Sequence, residues 1–283
     1  VEEARIKGGY NNVGVGNGSR AFATSEDKSQ KTLLSSIIYS GIFNSRTTVN
    51  QTNVFSVAED ITRSVNPSKG SIQKLYAEDT NLNILQEAKI SRALIDKNAI
   101  YSAEGNKTIT TSQDVIGQIV PYAGEFGISR NPESFAVYGY AKYFTDVDRS
   151  VVLRLSGDGL TEISNYGMKT FFRNELAKTN FTSKIQGGWD MHNKVYVNSI
   201  QLNSGIYNTL SWDEAVSGWV SFYSYKPEQQ FSIKNNVFSI ANGTIWSHYA
   251  AGVSRGSFYN QAVVQVLRKF FLQYLTKAAM DGK

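Results

Sequence analysis

Short runs of alternating apolar and polar residues, cut by Gly, Asn and Asp, follow one another along most of this chain. The pattern is plainest from Asn131 to Gly167. Phe135, Val137 and Tyr140, then Tyr143 and Phe144, mark aromatic extended runs split at Gly139 and ending at Asp146. Val151, Leu153 and Leu155 then alternate with Val152, Arg154 and Ser156 before the turn signal Gly157-Asp158-Gly159 and a last run through Leu160 and Ile163. Period-two alternation bounded by such turn residues predicts strands. Four antiparallel strands in a meander make one propeller blade, and a single blade cannot bury both of its faces. Other parts of the chain must stack on it.

Similar runs stand on both sides. Before the blade come LLSSIIYSGIFN, NVFSVAEDITRSV, a break at Asn66-Pro67-Ser68-Lys69-Gly70, and SIQKLYAE, LNILQE and ISRALID, with a turn expected at Lys97-Asn98 before AIYSA. After it come KIQGGW, KVYVNSIQL, TLSWDEAV, GWVSFYSY, QFSIK, VFSIA and TIWSHYA, with Asn242-Gly243 the best two-residue hairpin turn. A weak repeat joins Tyr76-x-x-Asp79, Tyr143-x-x-Asp146 and Trp189-Asp190. Each is an aromatic strand end, an Asp able to bond its own turn backbone, and then an alternating apolar strand. The spacing is irregular, roughly 45 to 70 residues, as in a degenerate propeller with insertions. The fold expected is mainly β and propeller-like, incomplete or completed by another segment. An irregular β-sandwich is the rival.

Two stretches depart from this period. Tyr166 to Lys178 places Met168, Phe171, Phe172 and Leu176 on one side of a short helix, read as an insertion near 166–178. From Gln261 to Ala278, Val263, Val266, Leu267, Phe270, Phe271, Tyr274 and Leu275 fall at helical spacing. That C-terminal helix can pack on its own domain, dock on a neighbouring subunit or lie on a membrane surface, although propensity alone also admits a strand. Residues 1–31, rich in Gly, Asn and Ser, read as an extended arm. The organisation expected is therefore an arm over 1–31, a propeller-like domain over 32–259 and an amphipathic segment over 260–283.

Composition narrows the function. Charged residues make up 19% of the 283, below the usual share of roughly 25%, so a disordered charged tail is excluded. The net charge of +5 is scattered and marks no basic groove or specific nucleic-acid motif. With no cysteine, disulfides, thiol nucleophiles and Cys-based zinc sites are excluded. No apolar run is long enough to span a membrane. The start at Val1, with neither an initiator Met nor a secretory leader, suggests a processed product or a segment of something longer.

Candidate chemistry is sparse. Gly14-Val15-Gly16-Asn17-Gly18 lacks the helix and the closing Lys of a phosphate loop. Gly252-Val253-Ser254-Arg255-Gly256 has the form of a nucleophile elbow between a strand and the C-terminal helix, yet no His follows Ser254. His192 and His248 form no close pair of the kind a zinc site needs. Asp146 with Asp148, Asp158 with Glu162, and Asp213 with Glu214 are the carboxylate pairs that a glycosidase reading requires, and nearly all sit in turns. Trp212, Trp219 and Trp246, with nearby Phe222, Tyr223 and Tyr225, offer a stacking platform for sugars or bases, although period-two spacing sends about half of such residues to the core. No catalytic residue, cofactor or metal is expected.

Several phrases carry a resemblance: EARIKGGYNN, YSGIFNSRTTVNQTNVFSVAEDITRSVNPSKGSIQKLYAEDTNL, SRALIDKNAIYSAEGN, NPESFAVYGYAKYFTDVDRSVVLRLSGDGLTEISNYGMKTFF, WDMHNKVYVNSIQ and TLSWDEAVSGWVSFYSYKPEQQFSIKNNVFSIANGTIWSHY. Together, from Glu2 to Tyr259, they resemble structural proteins of tailed-bacteriophage virions. The likeness is greatest to tail and neck components described as packaged-DNA-stabilisation or tail-hub-like proteins. It implies a non-enzymatic β-propeller scaffold in the virion that joins other tail or neck proteins as a symmetric homo-oligomer. Partner contacts are expected at Arg5, Lys7, Tyr10, Phe270 and Tyr274. The alternatives are a receptor- or carbohydrate-binding tail module using Trp212, Trp219 and Trp246, and a glycan-degrading tail enzyme. After Phe258-Tyr259 the family pattern continues with more strands, whereas this chain turns helix-like, which leaves closure of the propeller open.

Overall fold

A computed structural model describes residues 32–41, 43–44, 46–55, 60–78, 81–101, 107–202, 205–254, 256–259 and 261–262, with the backbone alone at 44, 96–101, 107–114 and 261–262. The chain divides into two compact units, 1–127 and 128–283. Both are built from antiparallel strands, and among the described residues no sheet closes on itself.

In the first unit, β1 (Ser36–Ile38), β2 (Phe43–Asn44), β3 (Val49–Asn50) and β4 (Thr62–Ser64) make two short ribbons, β1 with β4 and β2 with β3. A meander follows: β5 (Ile72–Glu78), β6 (Asn81–Gln86), β7 (Ile90–Tyr101) and β8 (Lys107–Pro121), each paired with the next. Val65, Ile84, Ala93 and Ile116 form its buried core. The break at Asn66–Gly70 is built as expected, because the Asn66 side chain accepts from Ser68 N at 3.0 Å and so caps the 3-10 turn Pro67–Lys69. Buried Gln86 donates to Asn66 O at 3.0 Å and to Gly70 O at 2.8 Å, which staples that turn to β6. No turn forms at Lys97-Asn98, contrary to expectation. Those residues stay in β7 opposite Thr111 and Thr110, and the strand absorbs its irregularity as register shifts between Ala93 and Lys97. Bulges let a long strand bend without ending it.

The second unit opens with the stretch Asn131 to Gly167. β9 (Ala136–Tyr138), β10 (Ala141–Asp146), β11 (Val151–Ser156) and β12 (Gly159–Glu162) form a four-stranded meander with its turns where Gly139, Asp146 and Gly157-Asp158 predict them. Helix α1 (Lys169–Leu176) follows, burying Phe172 and Leu176 while Met168 and Phe171 pack against the same core, as its spacing predicts. A second meander comprises β13 (Lys184–Asp190), β14 (Val195–Gln201), β15 (Tyr207–Asp213) and β16 (Gly218–Tyr223). A three-stranded one comprises β17 (Gln229–Ile233), β18 (Asn236–Ala241) and β19 (Thr244–Ser247). Asn242 (φ 52°) and Gly243 (φ 70°) form the two-residue turn between β18 and β19, both in the left-handed region that a type I′ hairpin demands. The described chain ends in a small hairpin, β20 (Ser257–Phe258) and β21 (Gln261–Ala262). The helix expected over 260–283 is not supported: Gln261–Ala262 are extended, and 263–283 lie outside the described residues, as does the arm over 1–31.

The sheets of this unit meet along the first strands of successive meanders. β13 packs against β9 on one side and β17 on the other. Successive strand residues face opposite sides. Gly187 therefore lets the Ser134 carbonyl approach to 1.9 Å from where a Cβ would stand, and Gly188 does the same for the Gln230 Cβ at 2.9 Å. Hydrogen bonds lock both junctions. The Tyr196 hydroxyl donates to Ser134 O at 2.8 Å, and Ser232 Oγ donates to Trp189 O at 2.6 Å. A column of rings crosses the first junction. Tyr138 stacks on Trp189 with centroids 4.3 Å apart and planes within 7°, Trp189 meets Tyr143 at 5.4 Å, and Tyr143 meets Tyr196 at 5.0 Å.

Candidate functional site

A concavity of the second unit lies where the turn after β13 meets the segment after β19. Asp190 ends β13 and organises the turn, its Oδ1 accepting from His192 N at 2.9 Å and Asn193 N at 3.0 Å. Its Oδ2 accepts from the Tyr249 hydroxyl, and Asn193 Nδ2 donates to that same hydroxyl at 2.6 Å. His192 stacks on the Tyr249 ring at 4.2 Å. On the other wall, Ser239 Oγ lies 2.6 Å from His248 Nε2 and 2.9 Å from the Tyr259 hydroxyl. Buried Tyr225 lies behind this wall, 4.6 Å from Phe258 and 5.1 Å from His248. Between these walls opens a cleft of about 630 Å³, within the usual range for small-ligand sites.

Two of its tyrosines are held in a conformation that bulky residues rarely adopt. Tyr249 has φ 59° and Tyr259 φ 53°. Each costs on the order of 1 kcal/mol or more and persists only because its surroundings fix it, here through Asp190 with Asn193 and through Ser239. Electrostatics keep the hydroxyls protonated. Burial, then the Asp190 carboxylate, pushes the Tyr249 hydroxyl far above its ordinary value. Burial lowers His248, with Asp190 acting in the opposite direction, so the ring is neutral at neutral pH.

Ser239, His248 and Asp190 bring a nucleophile, a base and an acid close together, yet they do not form a working triad. Ser239 has no solvent exposure, and its hydroxyl is shared with Tyr259. Asp190 is directed to the turn and to Tyr249. Ser254 of the elbow-like pentapeptide does line the cleft. The turn around it leads into the β20 hairpin instead of a helix, which corrects the expected strand-turn-helix setting.

The carboxylate pairs are engaged in turns and in side-chain bonds. Asp146, fully buried, accepts from Arg149 N at 3.2 Å and Ser129 Oγ at 2.9 Å, while Asp148 N donates to Ser129 Oγ at 3.1 Å. Asp213 accepts from Ala215 N at 2.8 Å, and Glu214 accepts from the Tyr143 hydroxyl at 2.7 Å beside Arg154 Nε at 2.9 Å. Asp158 pairs with Arg154 at 3.4 Å, and Glu162 accepts from Asn165 Nδ2 at 2.6 Å. Among the described residues no cluster of three or more His, Asp or Glu side chains could hold a metal ion.

The three tryptophans part company. Trp212 is buried and meets Trp219 at 5.6 Å, and Trp219 donates to Ile163 O at 3.0 Å. Only Trp246 of the three lines the cleft. Arg5, Lys7, Tyr10, Phe270 and Tyr274 lie outside the described residues. No described helix is long and apolar enough to cross a membrane. Sequence reasoning missed Tyr249, Tyr259 and Asp190 as site residues, because Asp190 and Tyr249 stand 59 residues apart and only the packing of β13 beside β17 brings them together. The one local signal was the DMHN turn after Trp189. No protein-family model matches the chain, and no curated protein matches it.

Proposed function

We propose that this chain is a non-catalytic structural component of a tailed-bacteriophage virion, joining tail or neck proteins through a rigid propeller-like scaffold. The linear phrases from Glu2 to Tyr259 suggest the class. The observation that carries the scaffold reading is the side-by-side arrangement of β9, β13 and β17, the first strands of successive meanders. Blades of a propeller are related in this way, each laying its first strand beside the next around an axis. The Gly187-Gly188 pair and the hydrogen bonds to Ser134 and Trp189 make those junctions stiff. Stiffness suits a part that must hold its neighbours at fixed angles while its loops vary. The partners are other tail or neck proteins and further copies of this chain in a symmetric assembly. Mass spectrometry of purified virions, with imaging of labelled copies, tests this. The expected result is a fixed copy number at the tail or neck, and particles without the chain would overturn it.

A further inference from the structure

The cleft between the β13–β14 turn and the segment after β19 has the properties of a ligand site that a scaffold does not require. Its lining mixes ring faces with short polar side chains. Its described lining residues include no carboxylate, lysine or arginine, and the Asp190 carboxylate beside them is engaged by its own turn and by the Tyr249 hydroxyl. Among those described side chains a phosphate, a nucleic-acid backbone or an acidic ligand would find no countercharge. A lipid chain would leave the hydroxyls of Ser247, Ser254 and Ser257 facing hydrocarbon. A sugar ring suits both halves, since it offers an apolar face of C–H groups and a rim of hydroxyls.

We propose that this cleft binds a neutral saccharide, stacked on Trp246 and Tyr249 and held at its hydroxyl rim by Asn193, Ser247 and Ser254. Tyr249 is 49% exposed although its hydroxyl is bonded to Asp190 and Asn193, so its ring is fixed while part of its surface stays free. His192 backs that ring at 4.2 Å, and Tyr259, 5.3 Å from Trp246, backs the indole. Rings clamped from behind in strained backbone are preorganised, so less freedom is lost when a ligand settles on them. Saccharide binding stands independently of the virion assignment.

The test is an array of neutral and acidic oligosaccharides probed with the full chain, then calorimetric titration with the strongest neutral oligosaccharide. A neutral saccharide is expected to bind. Tyr249→Ala and Trp246→Ala should each weaken it about tenfold or more. Because either aromatic loss could disturb folding, Ser254→Trp provides a second arm. Ser254 is exposed and lines the cleft, so the added indole should block binding while thermal melting stays unchanged. Three results would overturn the proposal: no neutral saccharide retained, binding that survives Tyr249→Ala and Ser254→Trp, or preference for acidic oligosaccharides.

Discussion

Two single residues show how local chemistry decides behaviour here. A Cβ at Gly187 would stand 1.9 Å from a backbone carbonyl, which cannot swing aside as a side chain can. Gly187→Ala is therefore expected to cost about 3 kcal/mol. Gly188→Ala, facing the Gln230 side chain at 2.9 Å, should cost less. Urea unfolding of the two variants checks the order, and equal losses would contradict it. His248 sets a pH dependence. Its value in the fold lies below the ordinary value of about 6.5, chiefly through burial, so the unfolded chain takes up its proton first as pH falls. Stability should hold above that ordinary value and decline below it. Unfolding midpoints measured from pH 8 to pH 5 should fall less steeply in His248→Gln than in the parent chain.

At the scale of elements, helix α1 depends on one residue more than any other. Phe172 is fully buried, 4.6 Å from Trp219 and 5.4 Å from Phe171. Phe172→Ala should cost about 3–5 kcal/mol, and a loss below about 1 kcal/mol would show that the core collapses around the gap. Phe181, 99% exposed just beyond the helix, should tolerate Ser within about 0.5 kcal/mol. Elements held by local chemistry were legible in the sequence. Asn242-Gly243 turns in two residues, Asp146 and Asp190 bond their own turns, and α1 follows the spacing of its four apolar positions. Elements decided by distant pairing were not. Lys97-Asn98 has turn composition, yet β8 holds it in a strand, because ladder hydrogen bonds outweigh a weak turn preference. The cleft was illegible for the same reason, since its walls come from separate meanders.

At the scale of the molecule, the second unit carries a core of its own, built from Tyr143, Phe172, Tyr196 and Trp212 among others. Residues 128–283 expressed alone should therefore give a β-type circular dichroism spectrum and a cooperative unfolding transition. A gradual, non-cooperative loss of signal would contradict that independence. The sequence read the meanders as one propeller-like domain over 32–259, because alternation and turn spacing continue across residue 127 and carry no mark of which sheets share a core. The ring column across the β9–β13 junction has a further consequence, an optical one. Two nearly parallel chromophores 4.3 Å apart, Tyr138 and Trp189, couple their ultraviolet transitions and give a near-ultraviolet dichroic band whose size depends on their separation. That band is an intrinsic gauge of the junction. It would let the seating of one sheet on the next be followed in solution without a label.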